Sequence, residues 1–216
     1  MNPDGYELAA AELPDRRVRS ILTSLVVPRP IAWVSSVSGD GVRNLAPHSF
    51  FNIASLDPPI VHFTSSRRDD HIKDTLANVV ETGEFVVNLV DRSLAASMNL
   101  TSAELAAEED EFSWARVAAA PGTLVAPPYV RDAPAAIECT VQQTLDIGNG
   151  TMVFGRVVWF HLASRAFDGH RVDPAGLDPV ARIGGPFYTS FGDVFRMDPP
   201  SADAHRESFP AGNAAS

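Results

Sequence analysis

The sequence predicts a mainly β protein, folded as an antiparallel barrel with a few peripheral helices. About six or more runs rich in β-branched and aromatic residues are separated by short turns, among them residues 38–41 and 148–150. One segment between these runs has a clear helical period. Strands that follow one another in hairpins favour an antiparallel barrel over a doubly wound parallel sheet, which needs a helix after each strand.

The first predicted hairpin spans residues 31–51. Residues 31–37 are rich in strand formers, and Ser-Gly-Asp-Gly at 38–41 is a strong turn signal. Residues 42–51 return as a second strand, but Pro47 lacks an N–H and interrupts the hydrogen-bond ladder. We therefore expect a bulge or a sheet edge at Pro47.

A strand and the predicted helix come next. We expect a strand over residues 60–64 and a polar loop over residues 65–70. Asp69 or Asp70 can cap the helix at its start, and Gly83 can end it. Helical spacing predicts one apolar face made of Ile72, Leu76, Val79 and Val80.

The second half of the chain contains another strand and a long hairpin. Residues 85–90 are typical of a buried strand, and residues 91–117 of helical and irregular structure. The acidic run at 108–111 predicts a solvated surface segment. Residues 135–147 and 151–163 predict two strands joined by Gly-Asn-Gly.

With 216 residues, the chain fits one domain with extensions. We expect an N-terminal extension over residues 1–28, the barrel over residues 29–196 and a mobile tail over residues 197–216. We also expect a cytoplasmic protein, because the polar N-terminus lacks the features of a signal peptide and no apolar run reaches the roughly 20 residues that span a bilayer.

Charge and residue types exclude several kinds of site. A net charge of −10 argues against binding to nucleic acid or to an anionic membrane. The only cysteine, Cys139, cannot form an internal disulfide, and its alternating neighbours predict a buried, inert thiol. No histidine pair has metal-ligand spacing within one element, so we expect no metal site.

Candidate chemistry begins at the strand that Pro47 interrupts. A backbone released from its ladder leaves N–H and C=O groups free to bind a polar ring edge, and Phe50 or Phe51 can supply flat apolar surface. The alternative is that both aromatics belong to the core. The candidate binding residues here are Asn44, Ala46, Pro47, His48, Ser49 and Phe50.

A second candidate segment lies where the predicted helix begins. Hydroxyl groups and cations precede a helix N-terminus, whose free N–H groups and partial positive charge suit a phosphate. Lys73 is the only lysine of the chain, and a cation at that end of a helix is unfavourable unless an anion lies nearby. The alternative is a simple capping cluster. The candidates are Thr64, Ser65, Ser66, Arg67, Lys73, Asp74 and Thr75.

Common nucleotide and hydrolase motifs are missing. The sequence has no G-x-G-x-x-G, no phosphate-binding loop of the Walker type and no G-x-S-x-G elbow.

The order of several short motifs resembles the flavin-reductase-like domain family, over roughly residues 20–195. This family includes flavoredoxin and the flavin-reductase components of two-component monooxygenases. The motifs are Arg-Pro-Ile-Ala-Trp-Val-Ser at 29–35, Asn-Leu-Ala-Pro-His-Ser-Phe-Phe at 44–51, Asp-Pro-Pro at 57–59, Lys-Asp-Thr at 73–75, Gly-Glu-Phe-Val-Val-Asn at 83–88 and Arg-Ile-Gly-Gly-Pro-Phe-Tyr at 182–188.

The resemblance implies an FMN-binding split β-barrel of the Greek-key type that works as a homodimer, with the flavin near the subunit interface. Residues 44–50 would then lie along the isoalloxazine ring. Residues 64–67 and 73–75 would hold the phosphate, and Tyr188 would approach the flavin from the C-terminal region. His48 is the one side chain considered for contact with the reacting rings.

The function expected from this resemblance is an NAD(P)H:flavin oxidoreductase, in which NADH or NADPH gives a hydride to FMN and electrons pass to a partner monooxygenase or another acceptor. Two alternatives stay open. One is a flavoredoxin-like electron carrier or flavin-binding protein without nicotinamide turnover, and the other is a barrel that serves only as a dimeric interaction module.

Overall fold

The computed structural model describes residues 5–66 and 72–199. The helices are α1 (Asp15–Leu25), α2 (Asp74–Thr82), α3 (Ala95–Leu100), α4 (Glu111–Trp114) and α5 (Pro174–Leu177), with a 3₁₀ turn at Ala10–Glu12. The strands are β1 (Arg29–Pro30), β2 (Ala32–Val37), β3 (Arg43–His48), β4 (Phe51–Leu56), β5 (Pro59–Ser66), β6 (Glu84–Asn88), β7 (Ala119–Ala120), β8 (Tyr129–Val130), β9 (Ala135–Ile147), β10 (Gly150–Leu162), β11 (Ala181–Gly184) and β12 (Phe187–Thr189).

Seven strands form the main sheet, in the order β3-β2-β6-β9-β10-β5-β4, and every neighbouring pair is antiparallel. The mainly β, antiparallel fold class is therefore confirmed. The predicted long hairpin is β9 with β10, and the predicted hairpin at residues 31–51 is β2 with β3. Two small sheets, β1-β11-β12 and β7-β8, complete the fold.

The sheet has to curl, because its two edge strands follow each other in the chain. Seven strands laid flat would separate β3 from β4 by about 29 Å. Yet β3 ends at His48 and β4 begins at Phe51, and three consecutive Cα steps span at most about 11 Å. The backbone N–H of Thr64, in β5, also donates to Phe50 O at 2.8 Å. The sheet therefore wraps into a split barrel, with its seam at Ser49 and Phe50.

Pro47 lies in edge strand β3 and does not interrupt the ladder. The pairing of β2 with β3 runs in continuous register from Val37 opposite Arg43 to Ala32 opposite His48, and Pro47 is opposite Trp33. The prediction of a sheet edge is confirmed, and the prediction of a broken ladder is wrong. An edge strand bonds a neighbour along one side only, so it can accommodate a residue without an N–H.

Both faces of the sheet near β2 are buried. The barrel interior contains Ala32, Val34, Val61, Phe63, Leu76, Val79, Phe85, Val87, Cys139 and Val153. The opposite face packs under the loops and short helices through Ile31, Trp33, Leu45, Val90, Met98, Phe112, Val130, Ala133 and Val180. On this opposite face, the indole N–H of Trp33 donates to Thr101 Oγ1 at 2.8 Å, so the buried nitrogen of the tryptophan has a hydrogen-bond partner. Cys139 is buried as predicted, and burial raises the pKa of its thiol.

The helix after β5 begins later than the sequence suggests. Ser65 and Ser66 belong to β5 rather than to a loop, and α2 starts at Asp74. Ile72 and Val80 are 47% and 61% exposed, so only part of the predicted apolar face is buried. Its buried residues are Thr75, Leu76, Asn78 and Val79. The proposed caps Asp69 and Asp70 lie outside the described residues, whereas Gly83 ends the helix with φ 74° as predicted.

The acidic run at 108–111 is not wholly solvated, which corrects the prediction for Glu111. Glu111 is 6% exposed, and its carboxylate accepts hydrogen bonds from Asn44 Nδ2 at 2.8 Å and from Leu45 N at 3.1 Å. Burial raises the pKa of the Glu111 carboxyl, and the bonds from Leu45 N and Asn44 oppose the shift. Asp110 accepts from Phe112 N at 2.9 Å and pairs with Arg43. The run of acidic residues in the sequence did not indicate these contacts, because Asn44 of β3 and Glu111 are 67 residues apart.

None of the helices in the described ranges is long and apolar enough to cross a membrane.

His48, the last residue of β3, is a buried neutral histidine. Its side chain is 5% exposed, and its ring centroid lies 4.8 Å from that of Phe63. Burial, followed by the nearby charge of Lys73, lowers the pKa of His48 to about 3, against a hydrogen bond with the Thr64 backbone. His48 therefore carries no charge at neutral pH.

This burial predicts an acid-dependent loss of stability. The unfolded chain takes up the His48 proton below the ordinary pKa of 6.5, whereas the folded chain resists it down to about 3. Stability present above pH 6.5 is thus lost as the pH falls, by up to about 1.4 kcal/mol per pH unit from this group. Urea unfolding of wild type and His48→Gln at pH 7.5 to 4 should show a shallower pH dependence in the variant. Parallel curves would show that His48 is not responsible.

Candidate functional site

A cleft of about 500 Å³ opens beside the barrel seam. Five parts of the chain meet there: helix α1, strand β1, the end of β3 with its connection to β4, the residue before α2, and β11 with the turn that follows it. The volume is within the range of small-molecule sites. Its described lining residues are Arg16, Arg19, Ser20, Thr23, Arg29, Pro47, Ser49, Phe50, Lys73, Arg182 and Gly185.

Positive charge is concentrated in this cleft. Five of the described lining residues are cationic, and none is a carboxylate. The chain as a whole has a net charge of −10, so this clustering runs against its composition. Like charges held together in a concave site attract anions. The five cations are Arg16, Arg19, Arg29, Lys73 and Arg182.

Arg29 joins the end of α1 to the seam. Its Nη1 donates to the carbonyls of Thr23 at 2.5 Å and Val26 at 2.6 Å, and its guanidinium carbon lies 5.8 Å from the centroid of the Phe50 ring. Its Nε is buried and has no partner among the described residues. Burial, and then the charge of Arg182, lowers the pKa of Arg29. An anion in the cleft would relieve this crowding of positive charge.

Arg182 connects the cleft to a smaller cavity of about 100 Å³. Its Nη1 donates to Tyr188 Oη at 2.6 Å, its Nε donates to Gly185 O at 2.9 Å, and its guanidinium carbon lies 4.6 Å from the Tyr188 ring centroid. Pro47, Ser49 and Arg182 line both cavities, so the two are continuous. The described lining of the smaller cavity is Ile31, Pro47, Ser49, Met98, Ser102, Arg182 and Tyr188.

The structure brings five of the residues predicted for the site to these cavities. Pro47, Ser49, Phe50 and Lys73 line the main cleft, and Tyr188 lines the smaller one. The Phe50 side chain is 44% exposed, so its ring offers apolar surface to a ligand. Lys73 is exposed immediately before the first residue of α2, where an anion would offset the unfavourable position of its charge.

Asn44 and Thr75 lie deeper, in a buried polar network. Thr75 Oγ1 donates to Asn44 Oδ1 at 2.7 Å, and Asn44 Nδ2 donates to the Glu111 carboxylate. The hydroxyl of Ser36 also donates to Asn44 Oδ1, at 3.3 Å. This network joins β3, the first turn of α2 and α4, so it supports the cleft from beneath.

The other predicted residues that the structure describes do not line the cleft. His48 Nε2 and Ser65 Oγ are buried and have no hydrogen-bond partner in the described ranges. Arg67 lies outside the described residues. Whether these side chains contact a ligand stays a prediction. The half-buried members of this group are Ala46, Thr64, Ser66 and Asp74.

Sequence reasoning missed the wall that α1 contributes. Arg16, Arg19, Ser20 and Thr23 recur at i, i+3, i+4 and i+7, which places them on one helix face. This helical spacing of polar residues is the signal in the sequence that indicates the face. Gly184 allows close packing here, because a Cβ on it would lie 2.9 Å from Ser24 Oγ.

The site fits a ligand with a flat ring and a phosphate. Phe50 supplies exposed aromatic surface, the cations supply charge for the phosphate, and Arg29 Nε is a buried donor without a partner among the described residues. In the described ranges, no group of three or more histidine, cysteine or acidic side chains could hold a metal ion.

Comparison with known proteins finds relatives that cover most of the chain. An uncharacterized protein of Deinococcus radiodurans is 40% identical over 206 residues, covering 91% of this chain and 90% of that protein. Nitrilotriacetate monooxygenase component B from Bacillus cereus superposes with a TM-score of 0.87 at 32% identity, covering 89% of this chain and 98% of the other. The 2-nitrobenzoate 2-nitroreductase NbaA of Pseudomonas fluorescens superposes with a TM-score of 0.82 at 32% identity, covering 91% of this chain and 98% of the other.

The family model described as the flavin reductase like domain matches residues 24–176. That range includes the whole main sheet, the barrel seam and Lys73, whereas Arg16, Arg19, Arg182 and Tyr188 lie outside it. The match covers well over half of the chain. On this basis the chain belongs to the flavin-reductase-like domain family.

Proposed function

We propose that this protein binds FMN and works as an NAD(P)H-dependent flavin reductase that passes electrons to a partner protein. The observation that carries the proposal is the cation-lined cleft beside the exposed Phe50 ring, in a chain of the flavin-reductase-like family. A phosphate needs cationic or N–H partners, and an isoalloxazine needs flat apolar surface. Both are present within one cavity.

Lys73 is the residue we assign to the FMN phosphate. It is exposed at the start of α2, where free backbone N–H groups and the helix dipole also favour an anion. The hydroxyls of β5 and Arg67, which lies outside the described residues, are assigned to the same phosphate from the family motif. The edge strand β3 and Phe50 would lie along the ring, and Tyr188 would close the site from the C-terminal side.

Bound FMN would supply the redox chemistry, and the chain would bind and orient the reactants. Lys73, together with Arg67, is assigned to neutralise the charge of the FMN phosphate. The buried imidazole of His48 stays neutral, because its pKa is about 3, so it adds no positive charge beneath the ring site. The described lining of the main cleft contains no histidine and no carboxylate. Hydride transfer itself requires none.

A partner oxygenase is the acceptor that the relatives support. One structural relative, 32% identical, is component B of a nitrilotriacetate monooxygenase, which is a protein that works beside another component. Another, also 32% identical, is a nitroreductase, so a small aromatic acceptor is the second candidate.

We also propose a homodimer. Strands β4, β10 and β9 of the main sheet, with β5 between β4 and β10, expose large apolar side chains, including Leu56 at 82% and Ile53 at 62% in β4 and Phe160 at 57% in β10. Clustered exposure of this kind marks interfaces. Sedimentation of the purified protein should give twice the chain mass of 23.2 kDa, and a monomer at micromolar concentration would contradict the proposal.

Flavin retention and bleaching test the proposed function directly. Protein mixed with FMN and then desalted should keep the flavin absorbance bands, whereas riboflavin, which lacks the phosphate, should be lost. Rapid mixing of the FMN-loaded protein with NADH or NADPH should bleach the bound flavin. Retention without bleaching would indicate a flavoredoxin-like carrier, and failure to bind FMN at high concentration would leave only an interaction module.

Replacing the lysine tests the phosphate assignment. Lys73→Ala should weaken FMN binding by about 1.5–3 kcal/mol, the scale of a charge-assisted hydrogen bond, which is about 10- to 150-fold in Kd. Fluorescence titration measures this change. Riboflavin is the matched control, because its weaker binding should be the same in wild type and variant. An unchanged FMN Kd would remove Lys73 from the site.

A further inference from the structure

The cleft holds more positive charge than FMN requires. A phosphate monoester carries a charge of about −1.5 to −2 at neutral pH. Five cations line the cleft, and its described lining has no carboxylate to balance them. If the proposed function holds, part of this charge is available to a second anionic group.

Three of these cations have no hydrogen-bond or ion-pair partner in the described ranges: Lys73, which is assigned to the FMN phosphate, and the two arginines of α1, which are not. Arg29 and Arg182 donate to carbonyl groups of their own chain, and Lys73 lies beside His48 at the start of α2. Arg16 and Arg19, in contrast, have exposed side chains without a hydrogen-bond or ion-pair partner in the described ranges. They lie on the same face of α1 as Thr23, and that face lines the cleft.

Along α1, these two arginines lie further toward the N-terminus than the end of the helix that is bonded to Arg29. The Thr23 carbonyl is bonded to Arg29, whose guanidinium lies 5.8 Å from the Phe50 ring centroid. At 1.5 Å per residue, Arg19 and Arg16 lie about 6 Å and about 10 Å further along the helix axis. The face therefore extends along the cleft from the end of α1 that is bonded to Arg29 to two guanidinium groups without a partner in the described ranges.

A nicotinamide dinucleotide has this arrangement of groups. Its nicotinamide ring must meet the flavin, and its phosphates lie along the part of the molecule that leads away from that ring. Guanidinium groups are suited to phosphate because they donate paired hydrogen bonds in a plane. Residue 24 is the first residue of the family match, so Arg16 and Arg19 are features outside the matched domain.

We propose that Arg16 and Arg19 of α1 form a second phosphate subsite, which binds a phosphate on the adenosine half of the nicotinamide electron donor. The inference rests on the proposed reductase function and adds residues that bind the nicotinamide electron donor. The phosphate is either the 2′-phosphate of NADPH or the 5′-phosphate that both donors contain.

Binding of adenosine phosphates tests the subsite without flavin turnover. The probes are adenosine 2′,5′-bisphosphate and adenosine 5′-monophosphate, titrated by calorimetry into FMN-loaded protein at fixed ionic strength. The variant is Arg16→Gln with Arg19→Gln. The matched control, Arg17→Gln with Arg171→Gln, removes the same charge from exposed positions outside the described cleft lining.

The double variant should bind at least one probe tenfold or more weakly, whereas the control should bind both as the wild type does. A loss confined to the bisphosphate identifies the 2′-phosphate and predicts a raised KM for NADPH alone. An equal loss for both probes identifies the 5′-phosphate and predicts raised KM values for both donors. In either case kcat at saturating donor should stay unchanged.

Three results would overturn the subsite. They are wild-type protein that binds neither probe, a double variant that binds both probes at wild-type affinity, and a double variant that loses FMN as strongly as the probes. The last would assign these arginines to the flavin phosphate instead. Failure of the proposed reductase function has a different signature, because probe binding would persist while bound flavin stayed unbleached by NADH and NADPH.

Discussion

The covalent connection at Ser49 and Phe50 is the constraint on which the rest of the structure depends. It joins the two opposite edges of a seven-stranded sheet across two residues, so the sheet must curl until its edges meet. The same curling buries His48 against Phe63 inside the barrel. It also leaves Pro47, Ser49 and Phe50 at the mouth of the cleft, where the backbone of an edge strand has one side unpaired.

Beneath that seam, a buried polar network fixes the relative positions of three elements. Asn44 of β3 accepts from Thr75 in the first turn of α2 and donates to Glu111 of α4. Each partner satisfies a group that would otherwise be costly to bury. Because Thr75 is two residues after Lys73, the network also holds the proposed phosphate-binding lysine against the seam.

Electrostatics separates the cleft from the rest of this acidic chain. The cations come from α1, β1, the start of α2 and β11, so the cluster exists only when distant segments fold together. Packing like charges is unfavourable: burial, and then the charge of Arg182, lowers the pKa of Arg29. Such an arrangement is stabilised when an anion binds, and this links the shape of the fold to the class of ligand that we propose.

The sequence by itself determined the elements that local chemistry specifies. Turn residues and alternation predicted the hairpins, and Gly83 marked the end of α2. The anion site at Lys73 stays a prediction. Only the tertiary structure decided that Glu111 is buried against β3, that the ladder continues through Pro47, and that α1 forms a wall of the cleft. The physical reason is that burial of the Glu111 carboxylate and convergence of the cleft cations depend on residues far away in sequence. Local sequence patterns do not encode such contacts.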